Sequence, residues 1–144
     1  MAILVAFLHN YLKECVNMIA RDIMTRTVFT VGPQVKAQEA AQILSQKRIS
    51  GLPVVDENSK IIGIVTEADI ISKVNREGLL VADIMSHKVI TVDEETLVSD
   101  IAMLLTERKI KRVPVVQDNK LVGIISRADI VNAVAQGNLI IRPW

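Results

Sequence analysis

A chain of 144 residues can form one ordinary domain or two small ones, and because half of its residues are hydrophobic it can bury a substantial core. Its net charge of +1, from 17 basic and 16 acidic residues, provides no bulk attraction to nucleic acid, and few aromatic residues are available to stack on bases. The single cysteine excludes an intrachain disulfide and a metal cluster built from several cysteines.

We expect the N-terminal segment, residues 1–19, to form an amphipathic helix that packs on the domain or on a partner. Its unbroken apolar run covers only residues 1–8, far below the roughly 20 residues needed to span a bilayer. It also lacks the basic flank and cleavage site of a signal peptide, so we expect no membrane insertion and a cytoplasmic location. Because the repeated pattern of the chain begins only beyond Met18, Met18 is a candidate internal start. The apolar residues at helical spacing are Leu4, Leu8, Tyr11 or Leu12, Cys15 and Ile19.

The rest of the chain repeats itself, first at an offset of 61 residues and then at 60. The lost residue falls in a polar turn between two predicted strands, where a deletion is readily tolerated. Three pairs of segments carry the repeat: RDIM (Arg21–Met24) and ADIM (Ala82–Met85), RISGLPVVD (Arg48–Asp56) and KIKRVPVVQ (Lys109–Gln117), and GIVTEADI (Gly63–Ile70) and GIISRADI (Gly123–Ile130).

We therefore predict two repeats, residues 20–80 and 81–137, followed by an apolar tail at residues 138–144. Neither repeat is a basic module, since the first has eight basic against seven acidic residues and the second has seven against eight. About 60 residues would form only a marginal core alone. We therefore expect an α+β fold in which the two copies bury their sheets against each other as an internal pseudo-dimer.

Each repeat is predicted to follow the order strand, helix, strand, strand, helix. The first helix is expected to carry an apolar face, formed by Ala37, Ala40, Ala41 and Leu44 in one copy and by Leu97, Ile101, Leu104 and Leu105 in the other. The predicted elements are the strands Val28–Val31 and Val89–Val92, the helices Ala37–Gln46 and Leu97–Glu107, the strands Leu52–Val55 and Val113–Val116, the strands Ile61–Val65 and Leu121–Ile125, and the helices that open at Thr66 and Ser126.

The final helix of each repeat begins with a hydroxyl residue followed three residues later by an aspartate, which resembles a capping box. Thr66 and Ser126 are predicted N-caps, and Asp69 and Asp129 lie in the first turn, where negative charge suits the helix dipole. This interpretation alone requires no ligand. The occurrence of the same pattern in both copies favours an additional role in binding.

The order of elements, the Asp-Ile-Met opening, the Pro-Val-Val strand and the closing Gly-apolar-apolar-Ser/Thr-x-x-Asp together resemble a cystathionine-β-synthase (CBS) domain pair, or Bateman module. The resemblance extends from Ala20 to about Gly137. It implies two sheets packed around a pseudo-two-fold axis with the helices outside. It also implies a non-catalytic regulatory module with two clefts that bind adenine nucleotides such as AMP, ADP or ATP. In some members of the family it implies S-adenosylmethionine, NAD-type ligands or metal ions instead.

Carried over by this resemblance, Asp69 and Asp129 accept ribose hydroxyls, and Thr66 and Ser126 lie near the ribose and phosphate. A carboxylate accepts vicinal hydroxyls well, and a helix N-terminus offers free N–H groups to a phosphate. The family pattern also points to an apolar adenine slot, although the same residues are equally typical of plain core. The slot residues are Val28, Leu52 and Pro53 in the first copy and Val89, Val113 and Pro114 in the second.

The two copies differ just before the Pro-Val strand, where the second has Lys111 and Arg112 and the first has Ser50 and Gly51. The family often places phosphate-binding cations at this position, and a guanidinium fork suits a phosphate. The alternative is a solvated basic edge. We therefore predict that the cleft around Ser126, with its two cations, binds nucleotide more tightly.

The sequence contains no nucleophile elbow, Walker A motif or dinucleotide fingerprint, and its two histidines, His9 and His87, have no metal-ligand spacing. We therefore expect a regulatory module rather than an enzyme, with no required cofactor. The expected partners are an adenine nucleotide, a second copy of the chain and a regulated protein that the sequence does not identify. The alternatives are a dimeric scaffold with empty clefts or a binder of S-adenosylmethionine or an NAD-type ligand; a nucleic-acid partner is not expected.

Overall fold

The computed structural model describes residues 1–8 and 17–139, which form the predicted mixture of short helices and strands. Residues 2–8 are helical and are labelled α1. The other elements are α2 (Ala20–Ile23), α3 (Ala37–Lys47), β1 (Gly51–Val55), β2 (Ile61–Thr66), α4 (Glu67–Ile71), α5 (Val81–Ile84), β3 (Val92–Asp93), α6 (Val98–Glu107), β4 (Arg112–Gln117), β5 (Lys120–Ser126) and α7 (Arg127–Ala135).

The chain divides into two units that do not follow chain order. Unit 1 comprises Met1–Arg26, Thr91–Val116 and Val122–Trp144, and unit 2 comprises Thr27–Ile90 and Gln117–Leu121. The opening helix of each repeat therefore belongs to the unit that holds most of the other repeat.

Unit 2 is built on the antiparallel pair β1–β2, in which Gly51 lies opposite Thr66 and Val54 opposite Gly63. One face of α3 packs on this pair, as its helical periodicity predicts, and buries Ala40 and Leu44. Burial of these aliphatic side chains supplies the main stabilisation of the unit. The buried core cluster consists of Val31, Ala40, Leu44, Leu52, Val54, Val65, Val81 and Ile84.

Unit 1 contains most of a three-stranded sheet in the order β3-β4-β5, with β3 parallel to β4. The helix α6 begins at Val98, one residue later than predicted, and Val98 rather than Leu97 is buried because Leu97 is the N-cap. Of the predicted apolar face, Ile101 and Leu105 are buried and Leu104 is half-buried, whereas Leu97 is 36% exposed.

The first strand of each repeat is shorter than predicted. In the first copy only Val31 pairs, through a parallel bridge to Val54, and in the second the strand is Val92–Asp93. The Val31 N–H donates to the Pro53 carbonyl at 3.1 Å, so the nitrogen of Pro53 faces the same neighbour. Because proline has no N–H, the ladder cannot extend back towards Val28. Pro114 occupies the equivalent position beside β3.

The opening helices α2 and α5 are held by equivalent backbone bonds in their separate units. In unit 1 the Ala20 N–H donates to the Thr96 carbonyl at 2.8 Å, and in unit 2 the Val81 N–H donates to the Val35 carbonyl at 2.8 Å. An ion pair between Arg21 and Glu94, at 3.6 Å, adds to the attachment of α2. These contacts fix the short helices that carry the repeated Asp-Ile-Met segment.

The two chain ends are described only in part. The apolar residues of α1 are exposed, including Ile3 at 87% and Phe7 at 68%. The remaining positions of the predicted N-terminal stripe from Tyr11 to Cys15, together with His9, lie outside the described residues, as does the tail from residue 140. Gly137, with a φ of 79°, directly follows the C-cap of α7. Within residues 1–8 and 17–139, none of the helices is long and apolar enough to cross a membrane.

Candidate functional site

Both repeated caps form, with nearly identical geometry. In unit 2 the Asp69 N–H donates to Thr66 Oγ1 at 3.4 Å, and Asp69 Oδ2 accepts from the Thr66 N–H at 2.8 Å. In unit 1 the Asp129 N–H donates to Ser126 Oγ at 3.3 Å, and Asp129 Oδ2 accepts from the Ser126 N–H at 2.7 Å. The predicted N-caps are confirmed because the capping box depends only on residues three apart.

The hydroxyl of each cap also donates to the same aspartate oxygen, at 3.0 Å from Thr66 and 3.1 Å from Ser126. Two donors therefore occupy Oδ2 in each copy. A carboxylate oxygen accepts about two hydrogen bonds, so a ligand hydroxyl would have to approach Oδ1. The caps thus fix the direction in which each carboxylate presents its remaining acceptor.

The first turn of α7 leaves one backbone donor available. The Arg127 N–H donates to the Lys111 carbonyl at 3.0 Å, and the N–H groups of Ser126 and Asp129 are used within the cap. Within the described chain, the Ala128 N–H has no acceptor. A helix of nine residues carries a useful partial positive charge at this end, so the group can receive a ligand oxygen.

The hydroxyl of Thr25 distinguishes the two copies. Its Oγ1 donates to Asp129 Oδ1 at 3.3 Å, across 104 residues of sequence. The backbone of Thr25 is fixed by two bonds to Ile124, each 2.9 Å long. Ser86 is bonded in the same way to Ile64, but its Oγ accepts from the Lys88 N–H at 3.3 Å instead of donating to Asp69.

The predicted cations Lys111 and Arg112 lie in the same unit as the Ser126 cap. Lys111 is joined to the helix start through its carbonyl, and Arg112 is the first residue of β4. The Nε atom of Arg112 is buried and has no hydrogen-bond partner within the described chain. A buried charged donor without an acceptor is costly, so the Arg112 side chain would gain free energy by turning this group towards an anion.

The corresponding place in unit 2 carries no cation. Gly51 lies opposite Thr66, and the Ser50 carbonyl accepts from the Glu67 N–H at 3.0 Å. Glu67 adds an exposed carboxylate at the start of α4, where the other copy has Arg127. The two caps are therefore alike in hydroxyl and carboxylate but opposite in the charge beside them.

The predicted adenine residues differ in accessibility. Leu52 and Val113 have no exposed surface, and Pro53 and Pro114 are under 2% exposed. This burial is what the alternative interpretation, that these residues belong to the core, predicts. Val28 and Val89 are half-buried. Val28 lies in unit 2 with Leu52 and Pro53; Val89 also lies in unit 2, whereas Val113 and Pro114 belong to unit 1. A role of these residues in binding adenine stays a prediction.

Two residues of the site were not predicted from the sequence. Thr25 is distant in sequence from Asp129, and Ala128 contributes only its backbone. One signal for Thr25 was present: a hydroxyl residue follows the Asp-Ile-Met segment in both copies, as Thr25 and Ser86. Among the residues that the structure covers, there is no group of three or more His, Cys, Asp and Glu side chains that could hold a metal.

A family model of the CBS domain matches the chain twice, at residues 20–76 and 81–136. Uncharacterized protein MJ1232 of Methanocaldococcus jannaschii is 32% identical over 120 residues, covering 83% of this chain and 40% of that protein. Uncharacterized protein MK0525 of Methanopyrus kandleri is 36% identical over 116 residues, covering 76% of this chain and 59% of that protein. The chain thus spans less than two thirds of the length of these curated relatives.

Solved structures are similar over most of the described fold. CBSX2 of Arabidopsis thaliana in complex with AMP is 33% identical with a TM-score of 0.77, covering 82% of this chain and 96% of that one. The CBS domain pair of protein MJ0100 in complex with 5′-methylthioadenosine and S-adenosyl-L-methionine is 32% identical with a TM-score of 0.74. That match covers 83% of this chain and 98% of the MJ0100 chain.

Proposed function

This chain belongs to the CBS domain family and carries two copies of the domain in tandem, and from this premise we propose that it is a regulatory module that binds an adenine nucleotide such as AMP, ADP or ATP. Binding would change its contacts with a regulated protein. The module performs no chemistry of its own and needs no resident cofactor. We place it in the cytoplasm, as its sequence composition favours.

The observation that carries this proposal is the buried, unpartnered Nε of Arg112 in the unit that holds the Ser126–Asp129 cap. A phosphate would supply the missing acceptor, and the exposed Lys111 adds a second positive charge nearby in the chain. Hydrogen bonds to charged groups contribute about 1.5–3 kcal/mol each. A phosphate group is therefore expected to bind preferentially in this unit.

The cap supplies the remaining recognition. Asp129 Oδ1 accepts one bond, from Thr25 at 3.3 Å, and so has capacity left for a ribose hydroxyl, while the Ala128 N–H is available for a second ligand oxygen. The equivalent helix in unit 2, α4, has only five residues, so its dipole is weaker. Unit 2 also lacks the adjacent cations and carries Glu67. We therefore assign the tighter nucleotide site to the Ser126 cap and weaker or no binding to the Thr66 cap.

The ligands of the related structures support an adenosyl compound as the class. CBSX2 is in complex with AMP, and the MJ0100 pair with 5′-methylthioadenosine and S-adenosyl-L-methionine. S-adenosylmethionine carries a positive sulfonium, which would be repelled by Lys111 and Arg112. Of the adenosyl ligands, a phosphate-bearing nucleotide therefore suits this chain best.

Titration calorimetry with AMP tests the assignment on the parent chain and on two substitutions, Asp129→Asn and Asp69→Asn. Asparagine keeps an acceptor for the cap, so each variant should fold, which circular dichroism can verify. We expect Asp129→Asn to remove the tighter binding and Asp69→Asn to retain it. The reverse pattern would assign the tighter site to the Thr66 cap. Absence of AMP binding to the parent chain would refute the nucleotide proposal.

The second candidate function is a dimeric scaffold with empty clefts, and one observation favours dimerisation in either case. Ile3, Val5 and Phe7 on α1 are each more than 60% exposed, as are Ile71 and Val131 on two other helices. Large apolar side chains exposed on α1 in this way are typical of an interface. We propose a homodimer with the N-terminal segment near the contact. Light scattering at micromolar concentration tests it, and a monomeric mass would contradict it.

A further inference from the structure

Unit 2 contains a cavity of about 570 Å³ that lies apart from the Thr66–Asp69 cap. Its walls are the first two turns of α3, the end of α4 with the segment that follows it, and the N-cap and last residue of α5. The volume lies in the range of about 300–1,000 Å³ that is usual for small-molecule sites. Neither Thr66 nor Asp69 lines it, so the nucleotide proposal does not account for it.

The backbone around the cavity is well fixed. Lys36 pairs with Leu80 through an antiparallel bridge, and the Ala37 N–H donates to the Leu79 carbonyl at 2.9 Å. Asn75 and Gly78 both have positive φ angles, 72° and 74°, which turn the chain back after α4. The cavity is therefore formed by ordered turns and by a helix that packs on the core.

The polar part of the lining is positively charged. The lining contains three cations, Lys36, Lys73 and Arg76, and one carboxylate, Glu77, so it has a formal excess of two positive charges. None of these four side chains makes an ion pair within the described residues. The N–H of Gln38, in the first turn of the eleven-residue α3, also lacks an acceptor there, and Gln38 lines the cavity. A helix start, free donors and cations together favour an anion.

Apart from Asn75, the remaining lining is apolar, and it contains no aromatic ring on which a base could stack. Ala41, Ile70 and Leu80 are representative of it. Such a surface gains free energy by covering an aliphatic or compact apolar group. We propose that this cavity binds a small organic anion that has a single carboxylate or phosphate head and an apolar body. The head lies at the α3 N-terminus between the basic side chains, and the body covers the apolar wall.

Octanoate and hexyl phosphate are suitable probes, with inorganic phosphate as the head alone and octan-1-ol as the body alone. We expect both amphipathic anions to bind the full chain in calorimetry and to shift the amide signals of Gln38, Gly78 and Leu79 in NMR spectra. Inorganic phosphate alone and octan-1-ol alone should each bind at least roughly tenfold more weakly, because each makes only one of the two sets of contacts. Equal binding of octan-1-ol, or no binding of either anion at millimolar concentration, would overturn the proposal.

Two variants test whether octanoate binds in this cavity. The double substitution Lys73→Ala with Arg76→Ala should weaken octanoate binding roughly tenfold or more, and Ala41→Trp should block the cavity. Lys60→Ala, an exposed cation of the same unit outside the cavity, is the matched control and should bind octanoate like the parent. Saturating AMP should leave octanoate binding unchanged, whatever the outcome for the nucleotide site. Displacement by AMP, or loss of binding in Lys60→Ala but not in the double variant, would contradict the assignment.

Discussion

Thr25 Oγ1 lies 3.3 Å from Asp129 Oδ1 and donates a hydrogen bond to it, although 104 residues separate them in sequence. The other oxygen of Asp129 already accepts two hydrogen bonds from Ser126. The orientation of the carboxylate is therefore set by its own cap, and Thr25 occupies part of the acceptor that a ligand would need. In the other copy Asp69 Oδ1 has no equivalent donor among the described residues.

We predict that Thr25→Val strengthens AMP binding at the Ser126–Asp129 cap by about two- to tenfold. A ribose hydroxyl would no longer compete with the threonine hydroxyl for Asp129 Oδ1. This range corresponds to the net value of an ordinary hydrogen bond, about 0.5–1.5 kcal/mol. Calorimetric titration measures it, with Ser86→Ala as the control in the other copy. Weaker binding by Thr25→Val would instead mean that the hydroxyl positions the carboxylate.

The sequence predicted what is determined locally. The caps at Thr66 and Ser126 depend on residues three apart, and the hairpin strands on alternating burial and a polar turn, so both were confirmed. The strand at Val28 was wrong because its pairing depends on Pro53, a neighbour that is distant in sequence and lacks an N–H. Thr25 was missed for a similar reason, since only the folded chain brings it beside Asp129.

The repeated glycine before each cap is required by a close approach. A Cβ atom on Gly123 would lie 2.5 Å from Met24 Sδ and 3.1 Å from the Thr25 carbonyl oxygen. A Cβ atom on Gly63 would lie 2.7 Å from Met85 Sδ and 3.0 Å from the Ser86 carbonyl oxygen. The methionine of each Asp-Ile-Met segment therefore packs against the glycine of the closing motif, which explains why the two motifs repeat together.

We expect Gly123→Ala to lower the free energy of unfolding by about 1–3 kcal/mol, because the added methyl group would overpack this contact. Gly32→Ala is the matched control, since a Cβ atom there would meet nothing within 4 Å and its φ is not left-handed. That control should be neutral or stabilise by about 0.4–1 kcal/mol, by restricting the unfolded chain. Urea unfolding followed by circular dichroism measures both, and equal effects would contradict the packing argument.

The cap of α7 should contribute measurably to stability. Ser126→Ala removes the oxygen that accepts from the Asp129 N–H, and losses of this kind cost about 0.5–2 kcal/mol. Ser126→Thr should retain most of the stability, because Thr66 performs the same role in the other repeat. The midpoint of urea unfolding distinguishes the two variants. If alanine and threonine destabilised equally, the hydroxyl would not be the stabilising group.

The buried Nε of Arg112 provides a test that separates phosphate from nucleoside recognition. Its Nε has no partner within the described chain, so a phosphate oxygen would satisfy it. We expect Arg112→Gln to weaken AMP binding about 10- to 100-fold, which corresponds to about 1.5–3 kcal/mol for a charged hydrogen bond, and to leave adenosine binding nearly unchanged. Arg108→Gln, an exposed cation at the C-cap of α6, is the control. An equal loss for AMP and adenosine would mean that Arg112 supports the fold of the site and does not bind the phosphate.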